Sequence, residues 1–157
     1  MKKKVIKRIG FGLLLLVAIA FIGAKIKRVT PLAWGHKEVN TPMFGSEAIN
    51  GYDPVAYFTL NKAVKGDKAY TYSWNGATWY LSSQENADLF KANPEKYAPQ
   101  FGGYCAYAVS KGFTANTDSE AFKIINDKLY LCADKGMLKK WLDGGEESIN
   151  KSVTNWK

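Results

Sequence analysis

The pattern of apolar and polar positions predicts a β-hairpin near the middle of the chain. The runs at residues 69–74 and 77–81 are rich in aromatic and β-branched side chains, and they flank the dipeptide Asn75-Gly76. This dipeptide favours a two-residue type I′ turn, because both turn residues must adopt positive φ. The apolar run at residues 54–59 predicts another strand upstream of the hairpin.

A capped helix is predicted directly after the hairpin. Ser82 and Glu85 have the spacing of a capping box, in which a hydroxyl and a carboxylate satisfy free backbone N–H groups of the first turn. The helix is expected to continue through Lys91. It ends at Asn93-Pro94, because the residue before a proline is driven out of the helical region.

The downstream part of the chain predicts further short elements and completes the fold class. Asn126-Asp127 separates two apolar runs and indicates a second hairpin, and Asp134 can cap the helix that follows. No internal repeat is visible in the sequence. Antiparallel strand pairs with short helices packed on them predict a small single domain of the α+β class. The elements expected here are a short helix or turn at residues 103–110, strands at 121–125 and 128–133, a helix that ends at Leu142 before Gly144-Gly145, and a last amphipathic helix at 146–156.

A basic and apolar segment at the N-terminus indicates contact with a membrane. Residues 9–24 form an uncharged apolar run, and the eight basic side chains of residues 1–28 all lie on either side of it. A membrane anchor needs about 17–25 residues, and a run slightly shorter than this suffices when flanking Lys and Arg side chains reach the headgroups. A cleaved signal peptide is the alternative, because its apolar stretch has about 7–15 residues and Ala18-Ile19-Ala20 offers a cleavage motif. The basic residues directly after the run favour the uncleaved anchor.

The distribution of positive charge around the apolar run sets the expected orientation. Five basic side chains precede the run and three follow it, so we expect the N-terminus in the cytoplasm and the rest of the chain in the periplasm or its equivalent. This predicts a single-pass protein of the inner membrane, with secretion after signal cleavage as the alternative. In this organisation residues 1–28 form the anchor, 29–47 a tether that contacts the domain through Trp34 and Phe44, and 48–157 one compact domain.

The charge of the chain does not favour a nucleic acid as partner. The formal charge of +8 comes from the N-terminal segment, because the residues after Arg28 carry 14 basic and 14 acidic side chains. Binding to phosphate backbones requires a basic surface. The predicted domain therefore has no electrostatic basis for binding DNA or RNA.

The predicted hairpin leads into a capped helix, which is followed by Asn93-Pro94-Glu95-Lys96-Tyr97. This arrangement resembles the YHS domain, a small module of bacterial envelope and metal-handling proteins. Upstream, Asp53-Pro54-Val55 is similar to the core of the opening strand of the family. Downstream, Gly102-Gly103-Tyr104-Cys105 and Lys128-Leu129-Tyr130-Leu131 are similar to its longer, stand-alone form, whose members commonly carry export signals. The resemblance spans residues 48–156 and implies the fold of this family.

The resemblance does not imply the metal site of the related pump modules. In YHS-like modules attached to metal-transporting pumps, cysteines occupy the positions that here hold Ala56, Ser82 and Asn86. Thiolate ligands determine the affinity of a site for soft metals, and these three residues supply none.

The two cysteines of the chain, Cys105 and Cys132, leave three interpretations open. Export favours a disulfide, which would stabilise the fold by roughly 3–4 kcal/mol in the chain-entropy model. The second interpretation is a pair of buried thiols in the core. The third is a two-thiolate site for copper or zinc, with Tyr104 as a neighbouring ligand. Cys105 is the favoured ligand, because it lies in the family-like Gly-Tyr-Cys segment.

Two further residues have a chemical and a structural interpretation. Asp53 could bind a ligand, but a position before Pro54 is typical of a turn side chain that accepts backbone N–H groups. His36 is the only histidine of the chain. It lies in the predicted tether without a second ligand nearby in sequence, which favours a solvated side chain over a metal ligand.

The inventory of reactive side chains predicts binding, with no catalysis. No histidine lies within residues 48–157, and Cys105 has no base beside it in sequence, although general acid–base and nucleophilic mechanisms both need a positioned partner. We therefore expect a membrane-anchored binding module that holds a transition metal or small ligand. The alternative is a structural adaptor that contacts another envelope protein and binds no metal.

Overall fold

The computed structural model describes residues 29–156. The predicted anchor or signal helix at residues 1–28 lies outside this part of the chain. Among the described residues, none of the helices combines the length and the apolar character needed to cross a bilayer.

The described residues form short helices and three antiparallel strand pairs, as expected for an α+β domain. The pairs are β1 with β4, β2 with β3, and β5 with β6. The elements are β1 (Thr30–Pro31), α1 (Pro54–Thr59), β2 (Asp67–Trp74), β3 (Ala77–Leu81), α2 (Gln84–Ala92), α3 (Pro94–Tyr97), α4 (Ala106–Ser110), β4 (Phe113–Thr114), β5 (Asp118–Ile125), β6 (Lys128–Cys132), α5 (Lys135–Asp143) and α6 (Gly145–Asn155), with 3-10 turns at Leu32–Trp34, Ala48–Gly51 and Gln100–Gly103.

Both predicted hairpins are confirmed, and both turn on residues with positive φ. Asn75 and Gly76 have φ of 50° and 72°, and Asn126 and Asp127 have φ of 50° and 57°. These values are those of a type I′ turn, whose twist matches that of the flanking strands.

The strand predicted at residues 54–59 is wrong, because this segment is the helix α1. The side chain of Asp53 accepts the backbone N–H groups of Val55 and Ala56 at 2.8 and 3.3 Å. Pro54 at the first helical position has a φ that is already suited to a helix. The cap and the proline therefore outweigh the strand propensity of the apolar side chains.

The cap of α2 lies one residue later than predicted. Ser83, and not Ser82, accepts the N–H of Asn86 at 3.2 Å and begins the helix. Ser82 instead donates its hydroxyl to Asp53 at 2.6 Å. The predicted end of the helix at Asn93 is confirmed, and Asn93 also caps the next helix, α3.

The core consists of two apolar clusters, and the first, around the first hairpin, also receives Leu129 and Leu131 of β6. In the first cluster Trp79 of β3 packs against Phe90 of α2, with ring centroids 5.0 Å apart. In the second, Tyr130 of β6 packs against Trp141 of α5, with centroids 4.8 Å apart. All four side chains are buried. Large aromatic side chains thus fill most of the space between each hairpin and its helix.

The two hairpin–helix units repeat one another in backbone structure, which the sequence did not reveal. In both units the strands have 8 and 5 residues and the helix has 9. A β-bulge occurs at the same place in each hairpin, after Asp67 in the first and after Asp118 in the second. The repeat is therefore one of backbone structure, without a repeat that is visible in the sequence.

The repeat extends upstream of each hairpin. Three consecutive residues with positive φ, Ile49 to Gly51 in one unit and Phe101 to Gly103 in the other, precede a short helix. In each unit the turn is followed by a tyrosine and then by the N-cap residue of the short helix. Asp53 in the first unit therefore corresponds to Cys105 in the second.

Residues 29–47 pack on the domain, although not through the expected side chains. Asn40 is buried, and its backbone N–H donates to the carbonyl of Gly102 at 2.8 Å. Its side-chain amide donates to the carbonyl of Gly103 at 3.2 Å. A Cβ atom at Gly102 would collide with the backbone of this segment, which explains the glycine. Trp34 and Phe44 are 76% and 95% exposed, so contact through these two residues is a wrong prediction.

Candidate functional site

Cys105 and Cys132 are brought together by the second hairpin–helix unit. Cys105 precedes the first residue of α4, and Cys132 is the last residue of β6. An isolated parallel bridge pairs Cys105 with Leu131, the neighbour of Cys132. Both thiols are free, and at most 1% of either residue is exposed to solvent. Both cysteines belong to the second apolar cluster.

The sulfur of Cys105 is a hydrogen-bond acceptor. The backbone N–H of Ala133 donates to Cys105 Sγ at 3.2 Å, and the side chain of Cys132 is close enough to affect the pKa of the same thiol. Donors directed at one sulfur stabilise the thiolate over the thiol.

These hydrogen bonds separate the acidities of the two thiols. The hydrogen bond from Cys132 lowers the pKa of Cys105 to about 7, and the N–H groups of Ala108 and Ala133 act in the same direction while burial opposes them. The hydrogen bond to Cys105, together with burial, raises the pKa of Cys132. The pair therefore loses its first proton easily and holds the second one firmly.

The position of Cys105 is built to stabilise a negative group, as its counterpart in the first unit shows. Asp53 is fully buried and accepts the backbone N–H of Ser82, the residue directly after β3, at 2.8 Å. Ala133 is the residue directly after β6 and makes the equivalent bond to Cys105. The same backbone arrangement thus holds a carboxyl group in one unit and a sulfur in the other.

A surface cavity of about 270 Å³ is lined by residues that neighbour the two cysteines, although neither cysteine lines it. Ala133 lines it, and so does Ala115, whose carbonyl accepts the N–H of Cys105 at 3.0 Å. Asn116 also lines the cavity, and its Oδ1 is buried without a hydrogen-bond partner among the described residues. The cavity gives a small ion or molecule an approach to the backbone that surrounds the sulfurs.

The donor set fits a soft ion of low coordination number. No three His, Cys, Asp or Glu side chains lie close enough within residues 29–156 to hold a metal together. Two adjacent sulfurs suit copper(I), which binds soft thiolates and accepts two-coordinate geometry. Structural zinc needs four ligands in a tetrahedron, which the thiol pair does not provide.

Tyr104 and His36, the other candidate ligands of the sequence, lie in an aromatic cluster with Trp156. The ring of Tyr104 is 5.8 Å from that of Trp156 and 6.2 Å from that of His36. The imidazole of His36 is half-buried, and its ring centroid lies 4.2 Å from that of Trp156. The expected solvated linker histidine is thus packed against the C-terminal helix. Sequence reasoning missed this contact, because the two residues are far apart in the chain.

Comparison with known families identifies the first unit. Residues 55–101 match the family model described as YHS domain. The chain contains a YHS domain. No match is found among curated proteins or among solved structures. The matched segment extends from α1 to the turn before Cys105, so both cysteines lie outside it.

Within the YHS domain, the positions that carry cysteines in the pump-attached modules form a hydrogen-bond network around Asp53. The hydroxyl of Ser82 and the amide of Asn86 both donate to Asp53 Oδ2 at 2.6 Å. Ala56 contributes its backbone N–H to Oδ1. Every group around the carboxyl is a donor, which leaves no set of ligands for a cation. Asp53 therefore has a structural role that ties α1 to the end of the hairpin.

Proposed function

We propose that this protein is a membrane-anchored YHS-domain protein of the cell envelope that binds copper(I) through Cys105 and Cys132. The observation that carries the proposal is the proximity of two buried, free thiols that shift each other's pKa, one of which accepts the backbone N–H of Ala133. Such a pair can supply two thiolates without rearrangement of the backbone, which reduces the cost of binding.

Burial of the sulfurs supports copper(I) over harder ions. Both cysteines lie in an apolar cluster, where a charged, strongly hydrated ion would lose its water at a large cost. Two thiolates compensate that cost best for a soft ion, which forms partly covalent bonds to sulfur. For the same reason we propose copper ahead of zinc, which the sequence left as an alternative.

The cellular setting of this proposal follows from the N-terminal sequence. Residues 9–24, between basic flanks, act as an uncleaved single-pass anchor in the inner membrane, with the domain on the periplasmic side. In that compartment the role is binding, with no catalysis. The partner that such a role requires is an envelope protein that supplies or receives the ion.

A copper titration tests the proposal. Reduced full-length protein in detergent is titrated anaerobically with copper(I) against a chromophoric copper(I) chelator. We expect one ion per chain, which survives desalting, and no retained zinc. Cys105→Ser and Cys132→Ser should each abolish retention, whereas Tyr104→Phe, which leaves both sulfurs in place, should retain the ion.

Two outcomes would contradict the proposal. One is fully reduced wild-type protein that takes no copper from the chelator, which would favour the structural adaptor. The other is unchanged retention in the Cys105→Ser and Cys132→Ser variants. Circular dichroism of each variant shows whether a loss of copper reflects a lost ligand or a lost fold.

A further inference from the structure

The pair of strands β1 and β4 presents apolar side chains to solvent. Trp34, Val29 and Phe113 are 76%, 38% and 40% exposed. Pro31 of β1 pairs with Phe113 of β4, and Leu32 donates its N–H to the carbonyl before Phe113 at 2.9 Å. The three exposed side chains therefore lie around one short strand pair, and we call them the β1–β4 edge.

The sequence places this edge close to the end of the apolar run. The run ends at Ala24 and β1 begins at Thr30, so the five residues between them, fully extended, span at most about 20 Å. The end of a membrane anchor lies at the headgroup region. A domain connected in this way has its β1–β4 edge next to the headgroups, because β1 is the first element after the anchor.

We propose that the β1–β4 edge is a membrane-docking surface that places Trp34 in the headgroup region of an anionic bilayer. The proposal rests on the anchor described under the proposed function. It names a surface that the anchor alone does not require, since even a short connection does not fix which face of the domain turns to the bilayer.

The chemistry of the edge fits a lipid interface. Tryptophan is enriched at this depth of a bilayer, because its ring is apolar and its indole N–H remains hydrated. Exposed Lys37 and Lys111 lie near Trp34 and Phe113 in sequence, and three basic residues precede Val29. Basic side chains beside a bilayer are attracted to anionic headgroups.

Docking at this edge also orients the thiol pair. Val29 belongs to the edge and also lines the cavity whose wall includes Ala133, the neighbour of Cys132 in the chain. The cavity then faces the bilayer and its surroundings, where a membrane-embedded partner could reach it.

Fluorescence quenching by brominated phospholipids tests the proposal. Full-length protein is reconstituted into vesicles that contain anionic lipid, with bromine atoms near the headgroup end of the acyl chains. We expect quenching of the wild-type tryptophan fluorescence, and Trp34→Phe should remove that quenched component. Trp74→Phe is the matched control and should retain it, because Trp74 lies at the tip of the first hairpin. Vesicles without anionic lipid should give weaker quenching.

Vesicle flotation separates failure of the docking surface from failure of the anchor. Protein that floats with the vesicles after an alkaline wash, but shows the same quenching in wild type and Trp34→Phe, would overturn the docking surface alone. Protein that does not float would overturn the anchor and, with it, this inference. Copper binding in detergent is independent of both results.

Discussion

The sulfur of Cys105 lies at a position whose surroundings stabilise negative charge. Its counterpart Asp53 accepts the N–H of Ser82 in the same way that Cys105 accepts the N–H of Ala133. The neighbouring thiol of Cys132 additionally lowers the pKa of Cys105. At the scale of the residue, the acidity of one cysteine therefore depends on the presence of the other.

A thiolate titration tests this dependence. The absorbance of the thiolate near 240 nm should report a pKa of about 7 in the reduced wild-type protein. Cys132→Ala removes the donating thiol, so the pKa of Cys105 should rise towards the ordinary value of 9.0. Cys132→Ser keeps a hydroxyl donor and should give a smaller rise. A single ionisation at the ordinary value in the wild-type protein would show that the two sulfurs do not share a proton.

The hairpin–helix unit is the element that the chain uses twice. Gly76 in the first turn corresponds to Asp127 in the second, and both have positive φ, at 72° and 57°. No atom lies within 4 Å of a Cβ built at Gly76, so a side chain there costs only the strain of the backbone. The two turns therefore form a matched pair for measuring that strain.

Substitutions in the two turns should have opposite effects on stability. Gly76→Val is expected to lower the free energy of unfolding by about 1–2 kcal/mol, because a β-branched residue strongly disfavours positive φ. Asp127→Gly should raise it slightly, since glycine adopts this conformation without strain. Denaturant unfolding of the full-length variants measures both changes. A Gly76→Val protein as stable as wild type would refute the turn conformation.

Elements that depend on local chemistry could be predicted from the sequence, and the others could not. The hairpins and the end of α2 follow from Asn75-Gly76, Asn126-Asp127 and Asn93-Pro94, where a few neighbouring residues decide the backbone. The sequence pattern predicts a strand in place of helix α1, because it does not show that the carboxyl of Asp53 caps a helix. One partner of this carboxyl is Ser82, which is distant in the chain.

The candidate site was predictable in its residues but not in its geometry. The sequence indicated Cys105 and Cys132, yet it left a disulfide, a pair of buried thiols and a metal site all open, because the proximity of distant residues is a property of the tertiary structure. The internal repeat was also hidden. Equivalent positions hold residues as different as Asp53 and Cys105, and only the backbone geometry is shared.

At the scale of the whole molecule, the proposed function assigns different roles to the two units. The first unit carries the YHS match, and its Asp53 network stabilises the fold. The second unit places a sulfur where the first has a carboxyl group, beside a cavity that Val29 also lines. In the proposed arrangement the anchor holds this cavity close to the membrane, and the thiol pair receives the ion there.

X-ray absorption at the copper edge is the most direct test of the central claim that Cys105 and Cys132 together hold a copper(I) ion. The sample is reduced full-length protein loaded with one equivalent of copper(I) and freed of excess ion. The account predicts a first shell of two sulfur atoms and an edge shape typical of two-coordinate copper(I), both absent from the Cys105→Ser and Cys132→Ser variants. A first shell dominated by nitrogen or oxygen, or a protein that holds no copper to measure, would contradict it.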